Sequence, residues 1–533
     1  MNTIIMRIMC VCLVAVFTTP LTPLKAEERM ADDNNMDEVS VDELQRRMAA
    51  GEMSAVSITR FYLNRIETMN LAGPSLHAVI AVNPDAVEAA RALDEERRAG
   101  SLRGPLHGIP VILKDNIDTV DKMPTTAGAL ALASHFASDD AFIVKQLRKA
   151  GAIILAKANL SEWANFRSEH SVSGWSTLGG QTRNPYVLNR NTCGSSSGSA
   201  VSVSANFAPL AVGTETDGSI VCPSAVNGIV GIKPTVGLLS RSGIIPIAHS
   251  QDTAGPMART VRDAATMLGA MVGVDNRDED TLASAEQSLS DYTSALDVEA
   301  LKGARIGVAG NLGHFSQKAN PVFARALDTL RAAGAEVIEV GEMPHIDDYG
   351  DQEYEVLLYE FKTELNAYLA DVDENLPVHS LSELIAFNLQ NAKQTMPHFA
   401  QEILYLAQEK GPLSDKAYLE ARETSRKLAR AGIDTLIEQH NLDAIVTTIA
   451  QPAWPTDHLN GDHYLGGSSS PAAVSGYPSV AVPMGNVRGL PLGMAFIGAR
   501  WQEAKLIGLA YSFEQRSQSR IAPKYLAELP LTP

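Results

Sequence analysis

Apolar and polar positions alternate along this chain in blocks that switch repeatedly between helical and strand periods. Ser40-Val41-Asp42-Glu43 has the form of a capping box opening a helix, and a second helical pattern runs from Ser57 to Met69. The apolar run Leu106 to Leu113, interrupted by Gly108 and Pro110, predicts a turn feeding a buried strand. A helical stretch from Ala141 to Ala150 precedes the short strand Ala152 to Ala156. The same order returns as strand Arg305 to Ala309, helix Pro321 to Ala333 and strand Glu336 to Val340. Such alternation predicts an α/β fold: one large mixed β-sheet core covered by helices on both faces. Residues 354 to 440 read as mostly helical and rich in charge, an insertion over the sheet edge that either shapes a substrate entrance or caps the structure. Strands return at Asp443 to Thr447, Val480 to Pro483 and Gly493 to Ile497, and a helix from Glu503 to Gln515 follows. No internal repeat or linker divides the chain, so residues 27–533 read as a single domain, with a signature core at about 75–265.

The first 26 residues change that picture at one end. They carry no acidic side chain, hold Arg7 near the start and contain the apolar run Ile8 to Phe17, and Leu24-Lys25-Ala26 offers a cleavage site. This is the pattern of a secretory signal peptide, which predicts a secreted or periplasmic protein without stable membrane association once the leader is removed. Among the 533 residues, 45% are hydrophobic and 20% charged, enough apolar surface for a sizeable core and too much for global disorder. The formal net charge of -18 excludes the basic face that a nucleic-acid partner requires. Of four cysteines, Cys10 and Cys12 lie in the leader. Cys193 and Cys222 read as two small buried thiols, although a bridge would be geometrically open to them if the segments they flank converge. No Cys and His spacing suggests a metal site, and no cofactor is expected.

Candidate chemistry gathers at three places. Gly194-Ser195-Ser196-Ser197-Gly198-Ser199 is a serine-glycine turn, Gly213-Thr214-Glu215-Thr216-Asp217-Gly218-Ser219 is a second hydroxyl cluster, and Gly108 to Asn116 carries Lys114 at the end of an apolar run. An amide carbonyl is a poor electrophile, so its cleavage needs an activated nucleophile, a proton route and donors for the oxyanion. The three motifs, in this order and spacing, resemble the amidase signature family, as does the run Gly476 to Gly485 with Gly489-Leu490-Pro491-Leu492-Gly493. The resemblance implies a Ser-Ser-Lys triad in which Ser219 is the nucleophile, Ser195 the relay 24 positions upstream, and Lys114 the base. It further implies an oxyanion hole from the backbone N–H groups of Thr216, Asp217, Gly218 and Ser219, a supporting Ser196, and a cis bond between Gly194 and Ser195. A lysine acts as base only when neutral, which requires its pKa to fall by roughly three units, and burial behind Ile109 to Leu113 can supply that. Asp217 stands where the family more often has glycine.

Within the family, Gly213 to Pro223, Asn159 to Phe166 and Gly179 to Pro185 most resemble bacterial peptide amidases, implying release of ammonia from the C-terminal amide of peptides. Val221 and Cys222 occupy the place where members that bind small carboxylates often carry arginine. A general aliphatic, aryl or cyclic amide hydrolase and a secreted binding protein without turnover are the other readings. Gly194-Ser195-Ser196-Ser197-Gly198 also fits a nucleophile elbow with Ser196 attacking, but an elbow follows a strand directly and Thr182 to Asn191 reads as loop. No serine has a lysine three residues later, and the nearby His107, His170 and His249 show no orienting acid in the sequence, so they read as lining or structural residues.

Overall fold

The computed structural model describes residues 36–530, and the predicted leader lies outside them. Among the described residues thirteen strands occur in chain order: β1 Val79–Val82, β2 Pro110–Lys114, β3 Ile153–Ala158, β4 Trp175–Ser176, β5 Gly180–Gln181, β6 Leu210–Glu215, β7 Val230–Lys233, β8 Thr253–Ala258, β9 Arg305–Val308, β10 Glu336–Glu339, β11 Ala444–Thr448, β12 Ser479–Val487 and β13 Leu490–Ile497. Strands β4 and β5 form a small ribbon of their own. The other eleven make one mixed sheet in the order β1-β3-β2-β6-β8-β7-β12-β13-β11-β9-β10. Strand β2 runs parallel to both β3 and β6, and β9 parallel to β10 and β11, while the centre is antiparallel.

The crossover helices follow their apolar stripes. Phe142–Lys149 buries Ile143, Val144 and Leu147, one face of a 3.6-residue period, and turns Lys145 and Lys149 outward. Ser197–Ser204 differs, being buried all round with small residues only. Two of its hydroxyls bond within the fold, Ser197 Oγ donating to Cys193 O at 2.7 Å and Ser199 Oγ to Val212 O at 3.0 Å, while those of Ser202 and Ser204 are buried without a partner among the described residues. Gly198 lets this helix approach the sheet, because a Cβ there would meet Ala78 O at 2.3 Å and Asn159 O at 2.4 Å.

Some element boundaries differ from the sequence reading for local reasons. Ser40 caps its helix by accepting from the Glu43 N–H at 3.3 Å, but the Glu43 carboxylate pairs with Arg46 and Arg47 instead of reaching back. The complete capping box is Ser54 with Ser57, so the second helix is Ala55–Met69. Strand β12 continues past Pro483 to Val487 because a bulge between Pro483 and Gly485 restores the pairing that proline interrupts. Between residues 350 and 440 lie the helices Gly350–Ala370, Leu381–Gln390, Ala392–Thr395, Glu402–Gln408 and Lys416–His440. Phe361, Leu365 and Leu369 of the first pack in one cluster with Trp163, Phe166 and Ile247, so these helices form a wall beside the serine motifs. Among the described residues no helix is long and apolar enough to cross a membrane.

Candidate active site

Lys114 is the last residue of β2, and the β2–β6 register sets Leu113 against Val212, which brings Thr214 beside the lysine. The side chain is completely buried. Its Nζ lies 2.8 Å from Ser195 Oγ, 2.7 Å from Thr214 Oγ1 and 3.1 Å from Thr214 O. Burial pulls the lysine down from its ordinary value of 10.5 to about 7, against the opposing fields of Asp252 and Glu215. A neutral amine has two N–H bonds and one lone pair. It can donate to both oxygens of Thr214 and accept from the Ser195 hydroxyl, which matches the three contacts one for one. Asn116 Nδ2 also donates to Thr214 Oγ1, at 3.1 Å.

Ser195 follows Gly194 through a cis peptide bond. Gly194 has no room for a side chain, since a Cβ would lie 2.2 Å from Ser161 Oγ. Ser196 Oγ donates to Thr214 O at 3.0 Å and accepts from Thr214 N–H at 3.2 Å, tying the first serine motif to β6. Those bonds use up the Ser196 hydroxyl inside the protein, and the residue caps a helix without a preceding strand, so it is not an elbow nucleophile.

Ser219 closes the turn after β6. Within that turn the left-handed residue is Gly218, at φ 83°, and Asp217 keeps ordinary backbone geometry in the place where glycine is more usual. Among the described residues, none of the N–H groups of Thr216, Asp217, Gly218 and Ser219 donates to a protein acceptor. The next two are held: the Glu215 carboxylate accepts from Ile220 N–H at 2.6 Å and Val221 N–H at 2.9 Å. Glu215 thereby folds the turn back on itself and leaves a concave row of free donors, an anion cradle. Burial raises the Glu215 pKa against the pull of Lys233, and burial lowers Lys233 to about 8.

A cavity of about 430 Å³ opens on Gly194, Gly218 and Ser219. Apolar walls come from Phe166, Ile247, Leu357, Ile403 and Trp454. Its charged lining residues are Glu169, Asp217 and Asp462, with no lysine or arginine among the described residues. Asp462 is itself a brace, accepting from Ser173 N–H at 2.9 Å and Asn191 Nδ2 at 2.8 Å. Cys193 and Cys222 also line the cavity and are joined by a disulfide, correcting the reading of two separate thiols. The reason is tertiary: the two serine motifs do converge, bringing the cysteine Cα atoms to 6.0 Å.

Three features were not legible in the sequence. Thr214 as the partner of Lys114 depends on the β2–β6 register. Glu215 reads as one more motif residue until its carboxylate is seen in the turn. His249 does have an acid: its Nδ1 pairs with Glu364 and lies 3.6 Å from Glu360, because the helix Gly350–Ala370 docks over it from a hundred residues away. The ligand atoms of His249, Glu360 and Glu364 lie within 4.8 Å of one another, a grouping a cation could use. Glu360 already accepts from Ser250 N–H and Oγ and from Tyr418 OH. This group borders a separate cavity of about 210 Å³ behind the Thr214–Thr216 backbone, away from Ser219. Among the described residues neither His107 nor His170 hydrogen-bonds to the serine motifs; the His107 ring bonds Leu93 O.

Known proteins resemble this chain along most of its length. The amidase family model matches residues 57–507. The crystal structure of native peptide amidase from Stenotrophomonas maltophilia superposes with a TM-score of 0.88 at 50% identity, covering 92% of this chain and 99% of that one. That of an amidase family protein from Bacillus anthracis superposes with a TM-score of 0.84 at 38% identity, over 92% of this chain and 93% of its own. A probable amidase of Arabidopsis thaliana is 41% identical over 510 residues, 94% of each chain. A sheet of this topology, a buried lysine on Ser195, and a match along most of the length establish that the chain belongs to the amidase signature family and is an amide-hydrolysing enzyme.

Proposed function

We propose that the enzyme removes the C-terminal amide of peptides and releases ammonia, through an acyl-enzyme on Ser219. The observation that carries the chemistry is the buried Lys114 amine 2.8 Å from Ser195 Oγ, beside a turn of four N–H groups without protein acceptors. Lys114, held neutral by burial, takes the Ser195 proton as Ser195 takes that of Ser219. Ser219 Oγ then attacks the amide carbonyl, and the N–H groups of Thr216 to Ser219 receive the oxyanion. As the tetrahedral intermediate collapses, the C–N bond breaks and the proton returns through Ser195 to the departing nitrogen, leaving as ammonia. Water, activated along the same path, hydrolyses the ester and frees Ser219.

For the substrate, the likeness to the Stenotrophomonas peptide amidase supports a peptide amide. A cavity with apolar walls and only acidic charges supports an acyl group that is neutral or cationic and disfavours one ending in a free carboxylate. Mass spectrometry of products from a panel of peptide amides, free peptides and simple amides tests this. Loss of ammonia from peptide amides without internal cleavage is expected, and equal turnover of simple aliphatic or aryl amides would replace the reading with that of a general amidase. We also propose export through the N-terminal leader, which N-terminal sequencing of the mature protein checks against a start at Glu27.

A further inference from the structure

The turn bearing Ser219 is linked through Gln251 to Glu353 of the helix Gly350–Ala370. Asp217, two residues before Ser219, is half-buried on the cavity wall with its Oδ1 enclosed, and Glu353, 8% exposed, lies in the first turn of that helix. Ser470 Oγ donates to Asp217 Oδ2 at 2.6 Å. Asp217 Oδ1 is buried and takes no donor from an N–H or hydroxyl among the described residues, and the charge of Asp217 acts on the Glu353 carboxyl. Gln251 Nε2 donates to Glu353 Oε1 at 2.9 Å and reaches the Thr216 carbonyl at 3.4 Å. Two elements distant in sequence thus meet both Thr216 and Asp217 through one glutamate and one glutamine.

Two adjacent buried carboxyls cannot both ionise at ordinary cost, so one keeps a proton and donates to the other. Glu353 is the one that keeps it: burial first, and then the charge of Asp217, push its pKa well above the usual carboxylate range. Burial raises Asp217 as well, but hydroxyl donors from Ser469 and Ser470 and the field of Lys233 oppose it, so Asp217 is the better stabilised anion of the two. The other titratable groups facing the pair are Tyr349, at the start of the same helix, Tyr464 from the cavity wall, and Glu215 beyond Lys233.

We propose that Glu353 is a positioning residue that clamps the Thr216–Ser219 turn, as proton donor to Asp217 and acceptor from Gln251, and so links the helical insertion to the oxyanion cradle. This rests on Ser219 being the nucleophile. The clamp holds only while the pair keeps its shared proton; on the alkaline side two charges face each other beneath the cradle, and the turn shifts.

The test compares Glu353→Gln with Glu353→Ala in the full-length enzyme, following kcat and KM on a peptide amide and, separately, the rate of Ser219 labelling by a fluorophosphonate across pH. A glutamine keeps a donor for Asp217 and an acceptor for Gln251, so E353Q should retain kcat within about threefold, whereas E353A should lose about 100-fold in kcat with little change in KM, the cost of a misplaced reacting group. Wild-type labelling should rise with pH through the Lys114 titration and then fall on the alkaline side. In E353Q, whose amide does not titrate, that fall should disappear. Near-UV circular dichroism reports folding, and if E353A does not fold, the E353Q profile alone decides. Wild-type kcat in folded E353A, an alkaline fall that persists in E353Q, or a wild-type profile with no alkaline fall would each overturn the proposal. A wild type that is never labelled would instead refute the nucleophile assignment.

Discussion

The sharpest prediction concerns the proton on Lys114. Burial lowers this lysine from 10.5 to about 7, a difference of about 5 kcal/mol between its two protonation states. At pH 8 an ordinary lysine would be neutral in about 0.3% of molecules, and this one in about 90%, a gain of roughly 300-fold in available base. Because only the neutral amine can accept the proton from Ser195, kcat/KM should climb about tenfold per pH unit below pH 7 and level off above it until the alkaline fall of the Glu353–Asp217 pair sets in. Asp252 raises the lysine value, so Asp252→Asn should move this limb to lower pH. Lys114→Ala should lose about 10²–10⁴-fold at neutral pH, the usual worth of a positioned base. The same shift has a consequence for stability, with its own sign. The native value is depressed, so between pH 10.5 and 7 the unfolded chain gains a proton that the native state refuses. Lys114 therefore costs nothing above pH 10.5 and up to about 5 kcal/mol below pH 7. Lys114→Met should accordingly gain stability relative to wild type as pH falls through that window, offset by a pH-independent loss of about 1 kcal/mol for each hydrogen bond removed. Initial rates from pH 5 to 10 and melting curves at pH 7 and pH 10 measure both effects. Activity that is flat across this range, or that keeps rising through pH 10, would refute the argument, as would a Lys114→Met stability difference that ignores pH.

Ser219→Ala should abolish fluorophosphonate labelling and turnover while leaving the circular dichroism spectrum unchanged; turnover in that variant would remove Ser219 from the chemistry. Replacing Cys193 and Cys222 together by serine releases a constraint spanning 29 residues and should cost about 3–4 kcal/mol of unfolding free energy, read from denaturation midpoints under non-reducing conditions. With Lys114 as the proposed base, a chelator should leave the rate unchanged; a rate lost to chelator and restored by a divalent cation would draw His249, Glu360 and Glu364 into function.

Much of the catalytic grouping can be read along the chain because its parts are local. An apolar run ending in Lys114 is a buried strand with a desolvated amine at its tip, and glycines at 194 and 218 mark backbone that must pass close to a neighbour or turn left-handed. The helical character of residues 354–440 also follows from short-range pattern. What could not be read there depends on pairing and docking between distant segments. The β2–β6 register makes Thr214 the partner of Lys114, and the convergence of two turns joins Cys193 to Cys222. Docking of the helix Gly350–Ala370 supplies Glu364 to His249 and Glu353 to Gln251. Sequence carries the covalent order and the local periodicity, which decide which residues are strand, turn or helix. Which charges end up facing each other in the core is decided only when burial brings segments together and removes the water that would have kept them apart.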